Sequence, residues 1–171
     1  MFCVIDIDGT IANNKHRAHF VDTPGKPKDW TNFLNPDLVY RDIPVEGSVL
    51  GVKHLERLGY ELCFLTGRHE GLRDVTMRWL LEQFDLNVKE ERLLMRPAGN
   101  LLNPSEYKRE QVIGLLSSLD KSRGIIFLDD DKFAWEMFAE FGIVLRAPEC
   151  WKTMFPVPIV TEGEAEELWR K

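Results

Sequence analysis

Two aspartates, Asp6 and Asp8, stand two residues apart where the apolar run opening the chain gives way to a turn, in the string VIDIDGT (Val4–Thr10). A buried strand that finishes in two carboxylates needs a cationic partner for them. Three later stretches carry groups of matching kind. FLTGR (Phe64–Arg68) closes an apolar run on Thr66, Gly67 and Arg68. EYKRE places Lys108 near the start of a helical pattern, and FLDDDK (Phe127–Lys132) runs straight into Asp129, Asp130 and Asp131. Five carboxylates brought to one edge of a sheet cannot all stay ionised unpaired. A hard divalent cation resolves that, and Mg²⁺ prefers one or two carboxylates together with waters and phosphate oxygens. Thr66, Arg68 and Lys108 are donors suited to phosphate. The set therefore points to phosphoryl transfer. Phosphate-monoester hydrolysis needs on the order of 20 kcal/mol of barrier lowering, and one aimed donor supplies only about 3–4 kcal/mol. A whole constellation is required. Taken singly, each element has a plainer use: Thr66-Gly67 as strand-end punctuation, Lys108 as a solvated helix lysine, Asp130 and Asp131 as acids at a helix N-terminus.

The elements that must position these groups can be read from the apolar pattern. Phe2–Asp6, Glu61–Thr66, Gly124–Asp129 and Gly142–Arg146 are rich in Val, Ile, Phe and Leu and predict strands, with Leu93–Met95 a shorter candidate. Helical patterns lie between them. EGSVLGVKHLERLG spaces Val49, Val52, Leu55 and Leu58 three apart and closes on Gly59. HEGLRDVTMRWLLEQF carries Leu72, Val75, Trp79 and Phe84. SEYKREQVIGLLSSL opens on Ser105 as an N-cap candidate, and DKFAWEMFAEFG ends on Gly142 as a C-cap candidate. Strands alternating with helices predict an α/β fold: a central parallel sheet with helices on both faces. Ligands in such sheets bind beyond the carboxyl ends of the strands, near a topological switch point, where these polar groups fall.

The remaining features set bounds. The 171 residues suit one domain spanning 1–171, and 44% hydrophobic residues can bury a sizeable core. The longest apolar runs fall short of the roughly 18 residues of a membrane span, and the opening Met1-Phe2-Cys3-Val4 lacks a basic leader region. Cys3, Cys63 and Cys150 form no CxxC pair, so neither a zinc site nor a disulfide framework is indicated; a cytoplasmic location is expected. A net charge of −6 argues against charge-driven binding to long duplex DNA, although NNKHRAH (Asn13–His19) is basic and TEGEAEELWRK is acidic. Residues 14–44 hold four prolines and little periodicity. They read as a small flap or lid over the strand ends, anchored by DWTNFL (Asp29–Leu34), and leave no room for a large cap domain.

In series, DIDGT, LTGR, Lys108 and LDDD resemble the four motifs of the haloacid-dehalogenase superfamily of phosphohydrolases, over Phe2 to about Arg146. The resemblance implies a three-layer, Rossmann-like fold. It is closest to the phosphatase domain of the phage polynucleotide kinase-phosphatases, through the spacing of Arg17 from Asp6, TGRHEG, Arg96 ahead of Lys108, and LDDDKFAWEMF. Two departures stand out: the chain has no GxxxxGK[ST] kinase loop, and Asp131 occupies a place where that group has arginine.

The resemblance implies Asp6 as a nucleophile that forms an aspartyl-phosphate and Asp8 as the acid and base. It implies Mg²⁺ held by Asp6, the Asp8 backbone carbonyl and Asp130, with Asp129 in support. Thr66, Gly67 and Lys108 would grip the phosphoryl oxygens, and Arg17, Arg68 and Arg96 the rest of the substrate. The residue pattern alone agrees on cation and phosphate but leaves open which aspartate attacks. An uncapped site suits large substrates, and the rings and charges of the flap suit a nucleotide. The expected substrate is a polynucleotide 3′-phosphate or a nucleotide, with no membrane partner; nothing indicates the oligomeric state. Other readings are a small-metabolite phosphatase or 5′-nucleotidase on the same core, a receiver-like signalling domain, and a non-catalytic binder of phosphate ends. A receiver carries its phosphorylated aspartate on the third strand, which DIDGT on the first disfavours.

Overall fold

The computed structural model describes residues 1–100, 102–118 and 124–154. The acidic tail TEGEAEELWRK falls outside them. Five strands, β1 (Phe2–Ile5), β4 (Glu61–His69), β5 (Leu93–Arg96), β6 (Ile125–Asp129) and β7 (Ile143–Arg146), form one all-parallel sheet in the order β5-β4-β1-β6-β7. A two-residue antiparallel pair, β2 (Ala12–Asn13) with β3 (Ile43–Pro44), stands apart.

Alternation along the central strands divides the core. Cys3, Ile5, Phe64, Ile126 and Leu128 face one apolar cluster, and Phe2, Val4, Cys63, Leu65, Ile125 and Phe127 face the other. The first cluster is closed by α4 (Ser48–Arg57), α5 (Arg73–Phe84) and α8 (Glu149–Met154) through Val52, Leu55, Trp79, Leu80 and Trp151. The second is closed by α6 (Pro104–Ser118) and α7 (Lys132–Phe138) through Tyr107, Val112, Ala134 and Phe138. Helices on both faces make the three-layer α/β sandwich that the strand pattern predicts. No helix among the described residues is long and apolar enough to cross a membrane. The three cysteines are buried thiols, with no disulfide among the described residues.

From β1 the chain builds outward through β4 and β5, then returns to the other side of β1 for β6 and β7. The switch point lies between β1 and β6, whose ends carry Asp6 and Asp129. The backbone N–H of Asp6 donates to the Leu128 carbonyl at 2.9 Å, so the two ends are locked side by side.

Four local expectations are corrected. In α4 the buried positions are Ser48, Gly51, Val52 and Leu55, while Val49 and Leu58 are exposed. A strict three-residue spacing drifts about 60° per step on a helix of 3.6 residues per turn, so its two ends leave the core face. α6 is capped by Asn103, not Ser105: Asn103 Oδ1 accepts from Glu106 N at 2.9 Å, Glu106 Oε2 accepts from Asn103 N at 3.3 Å, and Pro104 occupies the first helical position. α7 ends at Phe138, four residues before Gly142. A side chain at Gly142 would lie 2.5 Å from the Ile125 carbonyl, so this glycine permits close packing against β6 and is not a cap. β4 runs past Thr66 to His69, with its pairing to β5 broken between Leu65 and His69. The irregular stretch Thr66–Arg68 is thereby re-aimed relative to a regular strand.

Residues 14–44 contain three short helices, α1 (Lys15–Ala18), α2 (Trp30–Phe33) and α3 (Pro36–Tyr40). Asp29 caps α2, accepting from Asn32 N at 3.0 Å. Of the expected anchor, Phe33 is buried and Leu34 packs on the core, but Trp30 is half exposed.

Candidate active site

The turn after β1 brings the first acids into place. Gly9 adopts φ +84°, and a Cβ there would lie 2.1 Å from Asp130 Oδ2. Both the turn and the approach of Asp130 thus require glycine. The hydroxyl of fully buried Thr10 reaches Asp6 Oδ2 at 3.3 Å and Asp130 Oδ1 at 3.2 Å. Its single proton serves one of them at a time. Indole N–H groups brace the backbone on both sides: Trp151 donates to the Thr10 carbonyl at 2.9 Å and Trp135 to the Asp129 carbonyl at 2.7 Å.

Asp6, Asp129 and Asp130 each offer an oxygen within 4.8 Å of the others. Lys108, held by the second turn of α6 and almost wholly buried, lies 3.0 Å from Asp6 Oδ1 and 2.6 Å from Asp129 Oδ2. Burial would push this ammonium toward neutrality, but Asp6 and Asp129 hold it above the ordinary lysine value. One lysine against three carboxylates leaves the group short of positive charge. Burial, reinforced by the neighbouring acids and opposed by Lys108, raises Asp6 above the ordinary range. Burial and Asp129 push Asp130 up to about 6, against Lys108. Three hard oxygen donors short of positive charge fit a divalent cation of the magnesium kind. Asp129 Oδ1 already accepts from Asp131 N at 2.9 Å and its Oδ2 meets Lys108, whereas Thr10 is the one side chain hydrogen-bonded to Asp130 among the described residues. Asp131 is the N-cap of α7, its Oδ1 accepting from Phe133 N at 3.0 Å, and stands apart from the three-oxygen group.

Asp8 belongs to a second, separate set. Its carboxylate accepts from Arg68 Nε and Nη2, both at 2.9 Å, and from Arg17 Nη2. The same two arginines grip Asp42: Arg17 Nε reaches Oδ1 at 2.8 Å and Nη2 reaches Oδ2 at 2.6 Å, while Arg68 Nη2 reaches Oδ2 at 2.7 Å. The remaining guanidinium donors go to the Phe33 carbonyl (2.9 Å) and Thr76 Oγ1 (3.3 Å). Arg17, Arg68 and Asp42 are essentially buried. Against the upward push of burial, Arg68 and Arg17 hold the Asp8 carboxyl well below the usual carboxylate range. Burial pushes Asp42 up, with Arg17 and Arg68 pulling the other way.

Asp6, Asp8, Gly67, Arg96, Lys108 and Asp130 line one open cleft of about 820 Å³, floored by Trp30, Phe33, Leu34 and Pro97. Arg96 sits half-buried at the end of β5, its Nε donating to Asn100 Oδ1 at 3.3 Å. Thr66 is fully buried and its hydroxyl accepts from Arg68 N at 3.2 Å. The structure thus gathers every residue singled out from the sequence at one sheet edge, but divides the arginines. Arg96 faces the cleft, whereas Arg17 and Arg68 lie behind Asp8 with no surface to offer a substrate. Sequence reasoning missed Asp42 and the cleft-lining His69. A charge count would have found the former: two buried arginines beside one aspartate call for a second acid.

No family model matches the chain, and no curated protein does either. Solved structures with the same fold exist. A chain in the Pnkp1/Rnl/Hen1 RNA repair complex matches at 21% identity and a TM-score of 0.61 over 85% of this chain and 42% of its own length. A second structure of that complex matches at 19% identity and a TM-score of 0.63. The class C acid phosphatase from Bacillus anthracis matches at 17% identity and a TM-score of 0.58, over 99% of this chain and 77% of its own. The chain therefore spans less than half the length of the repair-complex chains it matches.

Proposed function

We propose that this chain, whose α/β fold fits the haloacid-dehalogenase superfamily of phosphohydrolases, is a Mg²⁺-dependent phosphomonoesterase acting on a polynucleotide 3′-phosphate or a nucleotide. One observation carries the reading: Asp6, Asp129 and Asp130 converge at the switch point with, among the described residues, only Lys108 in ion-pair contact to balance them, at the end of an open cleft. Asp6, Asp129 and Asp130 would hold the ion, joined by the Asp8 backbone carbonyl. Bound there, Mg²⁺ would neutralise phosphoryl oxygens and keep Asp6 ionised.

The chain's own groups suit the remaining work. Asp6 Oδ attacks phosphorus, the bond to the leaving oxygen breaks, and an aspartyl-phosphate forms. Lys108 and the Thr66–Gly67 backbone stabilise the phosphoryl oxygens. Asp8, resting as a carboxylate between Arg17 and Arg68, takes the proton of a monoanionic phosphate ester, passes it to the leaving oxygen as the P–O bond breaks, then takes one from the water that releases phosphate from Asp6. The apolar floor of Trp30, Phe33, Leu34 and Pro97 suits a nucleoside, and Arg96 its phosphate or sugar oxygens. The match to a chain of an RNA repair complex supports a nucleic-acid end over a small metabolite. In this reading residues 14–44 act as a lid within a single domain and the enzyme works in the cytoplasm, in keeping with a sequence that suggests no disulfide framework.

The test is a Mg²⁺-supported substrate panel of 3′-phosphorylated oligonucleotides, mononucleotides and sugar phosphates. The expected order of kcat/KM is oligonucleotide 3′-phosphate first and sugar phosphates last. Preference for a sugar phosphate would favour the small-metabolite reading, and absence of turnover on every ester would reject phosphatase activity.

A further inference from the structure

We infer that Asp42 is a positioning residue for Asp8, acting through Arg17 and Arg68. The inference rests on the phosphatase reading and deepens it. Asp42 is not among the residues lining the cleft, yet its carboxylate is wholly buried and, among the described residues, its side-chain partners are the two arginines that also grip Asp8, with His16 at 3.8 Å. Its backbone is fixed as well, the Asp42 carbonyl accepting from Trp79 Nε1 at 2.7 Å.

The geometry explains why such a residue is needed. Arginine presents its donors in a rigid planar fork, so fixing one edge fixes the other. Asp42 takes Nε and Nη2 of Arg17 and Nη2 of Arg68, leaving Asp8 to meet Nη2 of Arg17 and the Nε/Nη2 edge of Arg68. The Phe33 carbonyl and Thr76 Oγ1 take the far Nη1 groups. Two cations and two anions close into a neutral knot. Without Asp42 two guanidinium groups would converge on Asp8 alone, free to turn toward the cleft and pull its carboxylate off the line to the leaving oxygen. The knot also ties residues 14–44 to the sheet: Arg17, the Phe33 carbonyl and Asp42 come from that segment, and Arg68, Thr76 and Trp79 from β4 and α5.

The test is a double-mutant cycle of Asp8→Asn and Asp42→Asn. It is read as kcat/KM on two Mg²⁺-supported substrates, one with an activated aryl leaving group and one with an alkyl leaving group. Positioning by Asp42 predicts that Asp42→Asn lowers alkyl-ester turnover about 10–100-fold and aryl-ester turnover far less, the same sense as Asp8→Asn. It also predicts that adding Asp42→Asn to Asp8→Asn costs little more. A purely structural Asp42 gives losses equal for both esters and multiplicative with Asp8→Asn, and that result overturns the inference. If Asp42→Asn does not fold, Thr76→Val, which removes one acceptor from Arg68, is run through the same cycle with a smaller loss of the same sense expected; a loss equal for both esters overturns the inference. Wild-type enzyme inert toward both esters would instead defeat the phosphatase reading itself.

Discussion

Two clusters of buried charge lie side by side at the same sheet edge and are built on opposite plans. Around Asp8, two carboxylates meet two guanidinium groups, and the formal charge closes to zero. Around Asp6, three carboxylates meet one lysine and the charge does not close. The acids that line the cleft are displaced in opposite senses: Asp8 is held as a carboxylate, while Asp6 and Asp130 are pushed toward their protonated forms, as burial also pushes Asp42 behind Asp8. A closed cluster needs nothing further and serves to hold geometry. An open one is completed by what binds to it. The difference separates the cluster with room for an ion from the one that fixes the orientation of Asp8, without reference to any relative.

The sharpest way to break the contrast is to remove its reacting atom. Asp6→Asn is expected to lower turnover of even activated aryl phosphates by about 10⁴-fold or more, with the unfolding midpoint unchanged or higher, since it relieves crowding in the open cluster. Near-normal turnover would remove Asp6 as nucleophile. Chelation by EDTA is expected to stop turnover, and readdition of Mg²⁺ to restore it; full activity without metal would contradict the open-cluster account.

Stability should respond in opposite senses in the two clusters. Asp42→Ala leaves two buried guanidinium groups under-paired and is expected to cost about 3–5 kcal/mol in denaturant unfolding. Asp130→Asn, measured without metal, is expected to be neutral or stabilising. A large loss in the second or none in the first would erase the distinction. Acidity gives the finest test. An acid whose folded pKa is raised contributes stability below its unfolded value, near 4, and loses it as pH rises through the folded value. For Asp130 that window runs from about 4 to about 6, and Asp6 shifts in the same direction. Asp8 shifts the other way, but its contribution is lost only below about pH 4. The metal-free midpoint should therefore be higher at pH 5 than at pH 7, by about 2–4 °C, and saturating Mg²⁺ should remove the difference.

The open cluster was legible in the sequence because each member ends an apolar strand or begins the helix beside one. Asp6, Asp129 and Lys108 are marked by the transition from apolar run to charge, and the parallel sheet brings strand ends to one edge whatever the loops do. The closed cluster was half legible. Arg17 and Arg68 stood out, but as ligands of a substrate, because the acid that occupies them is separated from them by 25 and 26 residues and lies in a segment without periodicity. Pairing at such separations leaves no local pattern. Trp30 shows the same limit: its type suggested an anchor, and only the turn of α2 decides that Phe33 goes inward while Trp30 stays at the cleft.

The position of a bound divalent ion is the most direct test of the open cluster. Crystals soaked in Mn²⁺, an anomalous scatterer that shares the oxygen preference of Mg²⁺, are expected to show one strong peak bridged by carboxylate oxygens of Asp6 and Asp130, with Asp8 still clasped by Arg17 and Arg68. A peak at another place, or none between those two aspartates at saturating Mn²⁺, would contradict a metal site there.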